Sequence, residues 1–248
     1  MIKPRSIAAL LAAALSGAAY AGPPFITDDP EPVELHRWEV NYGATMSRSD
    51  GLTTGAAPGV DINYGAAQDT QLHIQPQLAY AHGQGANAVG MGDLELGIKY
   101  RFHTPESEDG GWMAGIYPML ELPTGSARRN LGAGAHSVYL PVWLQTTRGR
   151  WTVFGGGGYW IDSGADARNA WAGGVTALYQ INEQLQFGGE IYGTTPHHDN
   201  DPGVLAFNLG GTWQMREGLA LLFSAGRGLR NVRTTDQAAA YLGLRTSF

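Results

Sequence analysis

From Leu94 to Phe102 every second residue is apolar (Leu94, Leu96, Ile98, Tyr100, Phe102), and Glu95, Gly97, Lys99 and Arg101 stand between them. A period of two predicts a strand with one greasy face and one polar face. On its own the stretch fits either the core edge of a soluble sandwich or the wall of a membrane barrel. The same alternation recurs along the chain between segments rich in turn residues. It predicts twelve strands, at about 35–47, 57–65, 70–82, 91–103, 111–122, 136–148, 150–161, 168–180, 184–195, 203–216, 218–228 and 237–248.

The connections sort by parity. The even-numbered ones (Ala66–Asp69, Thr104–Gly110, Gly149, Ile181–Glu183, Glu217) are expected to be mostly tight. The odd-numbered ones (Arg48–Ala56, Gly83–Gly90, Pro123–Ala135, Asp162–Ala167, Pro196–Pro202, Leu229–Asp236) are expected to be longer. Short periplasmic turns and long outer loops are the habit of outer-membrane barrels, and a sandwich has no reason to show it. Trp38, Phe102, Trp112, Trp151, Tyr179, Trp213 and Phe248 share the apolar parity and fall near the periplasmic ends, as an interfacial aromatic girdle requires. The expected fold is therefore all-β, an antiparallel transmembrane β-barrel of about 12 strands.

Composition agrees. Among 248 residues 36 are glycine, aromatics reach 10% and charged residues only 15%, which disfavours helices. There is no cysteine, so disulfides and thiolate chemistry are excluded. The net charge of −6 without basic runs argues against a nucleic-acid partner. Residues 1–21 read as a secretory signal, with Lys3 and Arg5 ahead of the apolar run Ile7 to Ala19 and an A-x-A-like site at Ala19-Tyr20-Ala21. Residues 22–34 (GPPFITDDPEPVE) are rich in proline and acid, which suits an irregular leader, and residues 35–248 make the barrel. The C-terminal strand ending at Phe248 is the expected handle for the barrel assembly machinery. Outer-membrane lipid and a small organic solute are the other expected partners, in the outer membrane of a Gram-negative bacterium.

The parity opposite to the apolar one assigns lumen-lining candidates: Arg37, Glu39, Asp61, His73, Gln75, Glu95, Lys99, Arg101, Glu121, Glu190, Tyr192 and Arg245. Both signs of charge are present, which suits cross-strand pairing better than a field of one sign. Asp28, Asp29 and Glu31 are candidates for a plug that pairs with Arg37, Arg101 and Arg245 at the periplasmic mouth; a free acidic tail is the competing reading. No G-x-S-x-G occurs, and His136 and Ser137 point to opposite faces of a strand, so no nucleophile–base pair is expected there. Ser224 and His73 have no visible third member. His197-His198-Asp199 with Asp201 is better read as a polar outer loop than as a metal site, and neither metal nor cofactor is expected. Gly155 to Gly158 marks either a bend or a gap that admits a ligand or the leader.

MGDLELGIKYRF (Met91–Phe102), MLELPTG (Met119–Gly125), LPVWLQ (Leu140–Gln145), WTVFGGGGYW (Trp151–Trp160), GGEIYG (Gly188–Gly193) and the leader motif ITDDP (Ile26–Pro30) together resemble the MetA-pathway phenol-degradation, transporter-like family of outer-membrane β-barrels. The resemblance implies a barrel for passive uptake of small organic compounds, aromatic ones included, as a channel or carrier, and it brings no catalytic residues with it. A barrel enzyme acting on lipid, or a structural barrel without transport, is the alternative.

Overall fold

A computed structural model describes residues 23–105, 107, 110–164, 168–197, 203–232 and 237–248; the expected signal segment lies outside them. The described strands are β1 (Trp38–Ser49), β2 (Leu52–Ala67), β3 (Thr70–Gln75), β4 (Gln77–Gly83), β5 (Ala86–Met91), β6 (Leu94–His103), β7 (Trp112–Ile116), β8 (Met119–Leu122), β9 (Ser137–Arg148), β10 (Trp151–Asp162), β11 (Ala170–Gln180), β12 (Leu185–Thr194), β13 (Val204–Arg216), β14 (Leu219–Arg230) and β15 (Ala238–Ser247). Three pairs of segments, β3/β4, β5/β6 and β7/β8, are single staves interrupted at Pro76, Gly92-Asp93 and Tyr117-Pro118. Proline has no N–H to give to a ladder, which accounts for two of the three breaks. Counted this way, twelve antiparallel staves surround the lumen. β1 pairs with both β2 and β15, so the sheet closes on itself and no edge remains.

The strand boundaries differ from expectation at the first hairpins. β1 starts at Trp38 and not at 35, and β2 starts at Leu52 and not at 57. The long loops expected at Arg48–Ala56 and Gly83–Gly90 are two-residue turns, Asp50-Gly51 and Gln84-Gly85. All four of these residues have positive φ (47°, 76°, 51° and 78°). A hairpin turn with both central residues left-handed matches the twist of its strands. Two of the six outer connections are therefore tight, and Thr104–Gly110, expected to be short, is the long exception on the other side. The remaining outer connections are longer.

The wall faces outward with its apolar parity. Leu72, Ile74, Ile98, Tyr100, Leu140, Val142, Leu144, Val175, Ile191, Leu209, Leu242 and Leu244 are all exposed. In water such a band would be a large unexplained patch; around a closed barrel it is the lipid-facing surface. Trp38, Phe102, Trp112, Trp151, Trp213 and Phe248 are exposed on this face at the end where β1 begins, and Tyr179 lies beside Trp151 with ring centroids 5.0 Å apart. The chain is thus a transmembrane barrel of the outer-membrane type.

Candidate functional site

The site is the lumen, and its main occupant is the chain itself. Residues 23–36 enter beside β2, where Leu35 bridges to Gly65 and the His36 N–H donates to the Gly65 carbonyl at 2.7 Å. A β-carbon at Gly65 would collide with the Glu34 carbonyl, so only glycine admits the segment here. The segment then crosses the lumen. The Val33 N–H donates to Gln71 (2.9 Å), and Gln145 donates to Glu31 (3.4 Å). Lys99 Nζ lies 2.9 Å from Asp28 and 3.6 Å from Asp29. The Ile26 and Thr27 N–H groups donate to the Glu190 carboxylate at 2.8–3.1 Å. Phe25 packs on Phe154 and Leu178, Ser224 donates to the Pro24 carbonyl (2.6 Å) and Arg245 to the Pro23 carbonyl (3.2 Å). A β-carbon at Gly174 would meet the Thr27 hydroxyl.

Charge decides where the segment rests. Lys99 is 3% exposed and its ammonium also lies 4.9 Å over the Tyr117 ring. Asp29 is 0% exposed. Burial holds its carboxyl well above the usual carboxylate range, at about 7, against the opposing pull of Lys99. One oxygen accepts the Glu31 N–H at 2.6 Å, and the other has no hydrogen-bond partner. Burial raises the Glu31 carboxyl as well.

Lys99, and not one of the expected arginines, holds Asp28 and Asp29, while Arg101 acts on Glu31 and opposes the rise that burial imposes on its carboxyl. Arg37 is exposed just ahead of β1. Asp69 holds Arg101, with Nη2 at 2.6 Å. Arg245 faces Glu39 (3.3 Å) and Asn41 (3.0 Å), and it meets the leader at the Pro23 carbonyl. Lys99 is left as the cation without a nearer claim from the wall.

The other lumen candidates fall into two groups. Glu39, Asp61, His73, Glu95 and Arg245 belong to a packed network: His73 Nδ1 lies 3.0 Å from Asp61 and Nε2 3.1 Å from Glu95. Asn41 and Asn63 donate to Asp61 at 3.0 and 2.7 Å. Gln75 is half-buried at its margin. Glu121 and Tyr192 instead line a cavity of about 730 Å³ at the outer end, floored by Ile26 and Thr27 and walled by Tyr139, Trp143 and Trp160. Tyr139 and Trp160 stack at 4.6 Å, and His197 stands edge-on to Trp160 at 6.2 Å while its Nδ1 faces Asp162 at 3.2 Å. His198, Asp199 and Asp201 lie outside the described residues. A second cavity of about 1060 Å³ opens at the other end, among Thr147, Arg150, Gln180, Gln184, Gln186, Gln214 and Arg245. Gly155 to Gly158 leave no gap, since β10 pairs without a break to β9 and β11 along this run.

Of the aromatic wall only Tyr192 was among the sequence candidates; Tyr139, Trp143 and Trp160 were not. Between Ser137 and Gln145, β9 is apolar on both faces, with Leu140, Val142 and Leu144 outside and Tyr139, Pro141 and Trp143 inside. A run of three consecutive lumen-facing positions without a polar residue is the signal that points to such a patch.

Residues 69–245 match the profile of the family described as "Putative MetA-pathway of phenol degradation". The chain belongs to this family. No curated protein matches at a significant level. Among solved structures, this family member is similar to an outer membrane channel from Pseudomonas putida F1 (TM-score 0.73, 16% identity, 89% of this chain and 98% of that one). It is also similar to the KdgM porin in complex with disordered oligogalacturonate (0.59, 11%, 85% and 99%) and to the NanC porin (0.57, 10%, 84% and 98%). At these identities the likeness is one of fold.

Proposed function

We propose that the protein is an outer-membrane channel for passive uptake of small organic solutes, and that residues 22–34 form a plug that sets its constriction. The observation that carries this reading is the continuous run of contacts from Gln71 across to Arg245, which seats the leader between two cavities on the lumen axis. The outer cavity offers aromatic faces for a ring or alkyl body. The similar solved structures, a channel and porins, support the same reading.

A catalytic role is the weaker reading. Ser224 donates its hydroxyl to Pro24, and the His73 ring is bracketed by Asp61 and Glu95, so neither is free to form a nucleophile–base pair with the other. We also propose that β15, zipped to β1 with the Phe248 N–H donating to the Trp38 carbonyl at 3.0 Å, is the strand that the assembly machinery engages.

Planar-bilayer recording and liposome swelling test the channel and the plug together. Removing residues 22–32 behind an intact export signal is expected to raise single-channel conductance and the permeation of small solutes. Unchanged conductance in a correctly folded truncation would refute the plug, and absence of any solute flux from either protein would refute the channel.

A further inference from the structure

The outer cavity is not neutral ground. Its charged lining residues are Glu121 and Asp162, and His197, the one basic side chain described there, faces Asp162. Glu121 is half-buried and has no hydrogen bond or ion pair among the described residues. It also stands directly across the ladder from Glu95, a like-charge pair that destabilises a sheet unless a counter-charge arrives. Glu95 has a partner in His73 at 3.1 Å, which leaves Glu121 as the member of the pair without one. Asp93, a neighbour on the same inward face, is already taken up by the Gly125 and Ala133 N–H groups at 2.8 and 2.6 Å.

Beside this uncompensated carboxylate stand the stacked rings of Tyr139 and Trp160, with Trp143 and Tyr192 completing the wall. Aromatic faces carry negative potential and attract a cation, most strongly one whose hydration is weak. Resting on the channel reading above, we propose that the outer cavity binds small organic cations, an aromatic or methylated ammonium head against Tyr139 and Trp160 with its charge toward Glu121. The cavity's volume lies inside the roughly 300–1,000 Å³ of small-molecule sites. A neutral phenol would use the same rings but leave Glu121 unpaired, and an aromatic carboxylate would add a third negative charge.

Titration calorimetry on the detergent-folded mature protein, using benzyltrimethylammonium, benzyl alcohol and benzoate as probes, tests this. The cation is expected to bind at least tenfold tighter than benzyl alcohol, and benzoate weakest. Glu121→Gln is expected to lower cation affinity about tenfold and to leave benzyl alcohol unchanged, while Trp160→Leu weakens both. Equal or tighter binding of benzyl alcohol or benzoate to the wild-type protein, no binding of any probe, or a cation affinity indifferent to Glu121→Gln would overturn the proposal. The wild-type ranking stands even if a variant fails to fold. Liposome swelling with a small neutral sugar reads the channel separately, so flux without cation preference sinks this inference and leaves the channel in place.

Discussion

The two cavities of this lumen are built by the same rule and end up chemically unlike. Both are lined by the inward parity of the staves. Around the inner cavity those positions are Thr152, Gln180, Gln186, Gln214 and Arg245, which water solvates well. Around the outer one they are Tyr139, Trp143, Trp160 and Tyr192, with acid at the margin. The partition between them is the leader, whose Ile26 side chain is exposed to the outer cavity and whose Pro23 carbonyl meets Arg245 of the inner one. A barrel's alternation therefore fixes which face a residue takes, and leaves the character of each lumen sector to the side chains placed there.

The largest expected effect comes from removing the post on which the partition rests. Lys99→Met takes away the only cation within ion-pair distance of Asp28 and Asp29 among the described residues. Breaking a buried pair from one side costs about 3–5 kcal/mol. The leader is then expected to leave the lumen, the two cavities to merge, and bilayer conductance to rise toward that of the 22–32 truncation. Conductance equal to wild type would show that Glu190 and Arg245 hold the segment without Lys99.

One residue earlier the chain faces lipid. Ile98 is 49% exposed on the outer surface, and arginine placed there near the midplane is expected to destabilise the folded barrel by about 2–4 kcal/mol. The measurement is the fraction of heat-modifiable barrel and its urea midpoint in detergent or lipid. Lys99→Met should alter flux with little change in that fraction, and Ile98→Arg the reverse. If both variants changed the same quantity, the division between wall and partition would be wrong. The neighbouring Gly97 is a poor control because a β-carbon there would press on the Tyr117 ring, 2.8 Å away.

The wall was legible because its signal is repeated. A period of two over a dozen segments survives errors at any one turn, and even the hairpins that were misjudged, Asp50-Gly51 and Gln84-Gly85, displaced boundaries without changing the stave count. The Asp-Gly pair is a hairpin signal in its own right. The pairing inside the lumen was far less legible. Parity placed Lys99, Arg101 and Arg245 on the same face, but which of them meets Asp28 depends on who else competes: Asp69 for Arg101, Glu39 and Asn41 for Arg245. That competition is settled by cross-strand register, to which a one-dimensional pattern is blind. Glu121 and Tyr192 of the outer cavity were named by parity, while Tyr139, Trp143 and Trp160 were missed for a related reason, since a lumen face that turns apolar erases the alternation by which lumen faces are found.

The smallest expected effect is a dependence of the partition on pH. Asp29 is buried in the docked leader with its carboxyl raised to about 7, from an ordinary 3.8, chiefly because burial penalises the charged form. The charged groups facing it are Lys99, Asp28 and Glu31, and Glu31 is raised in the same direction. A leader released into water recovers the ordinary value, so docking takes up a proton between about pH 4 and pH 7. An acid raised in the docked state favours docking fully below its free value and loses that advantage as pH climbs through its docked value. Conductance is therefore expected to be lower at pH 5 than at pH 8, with the change centred toward the upper end of the window. Asp29→Asn keeps a neutral side chain of the same shape and should hold the leader docked at both pH values, flattening the profile. A conductance that rises on acidification, or a profile equally steep in Asp29→Asn, would mean that the proton is taken up elsewhere in the lumen and that the partition between the two cavities does not titrate through this carboxyl.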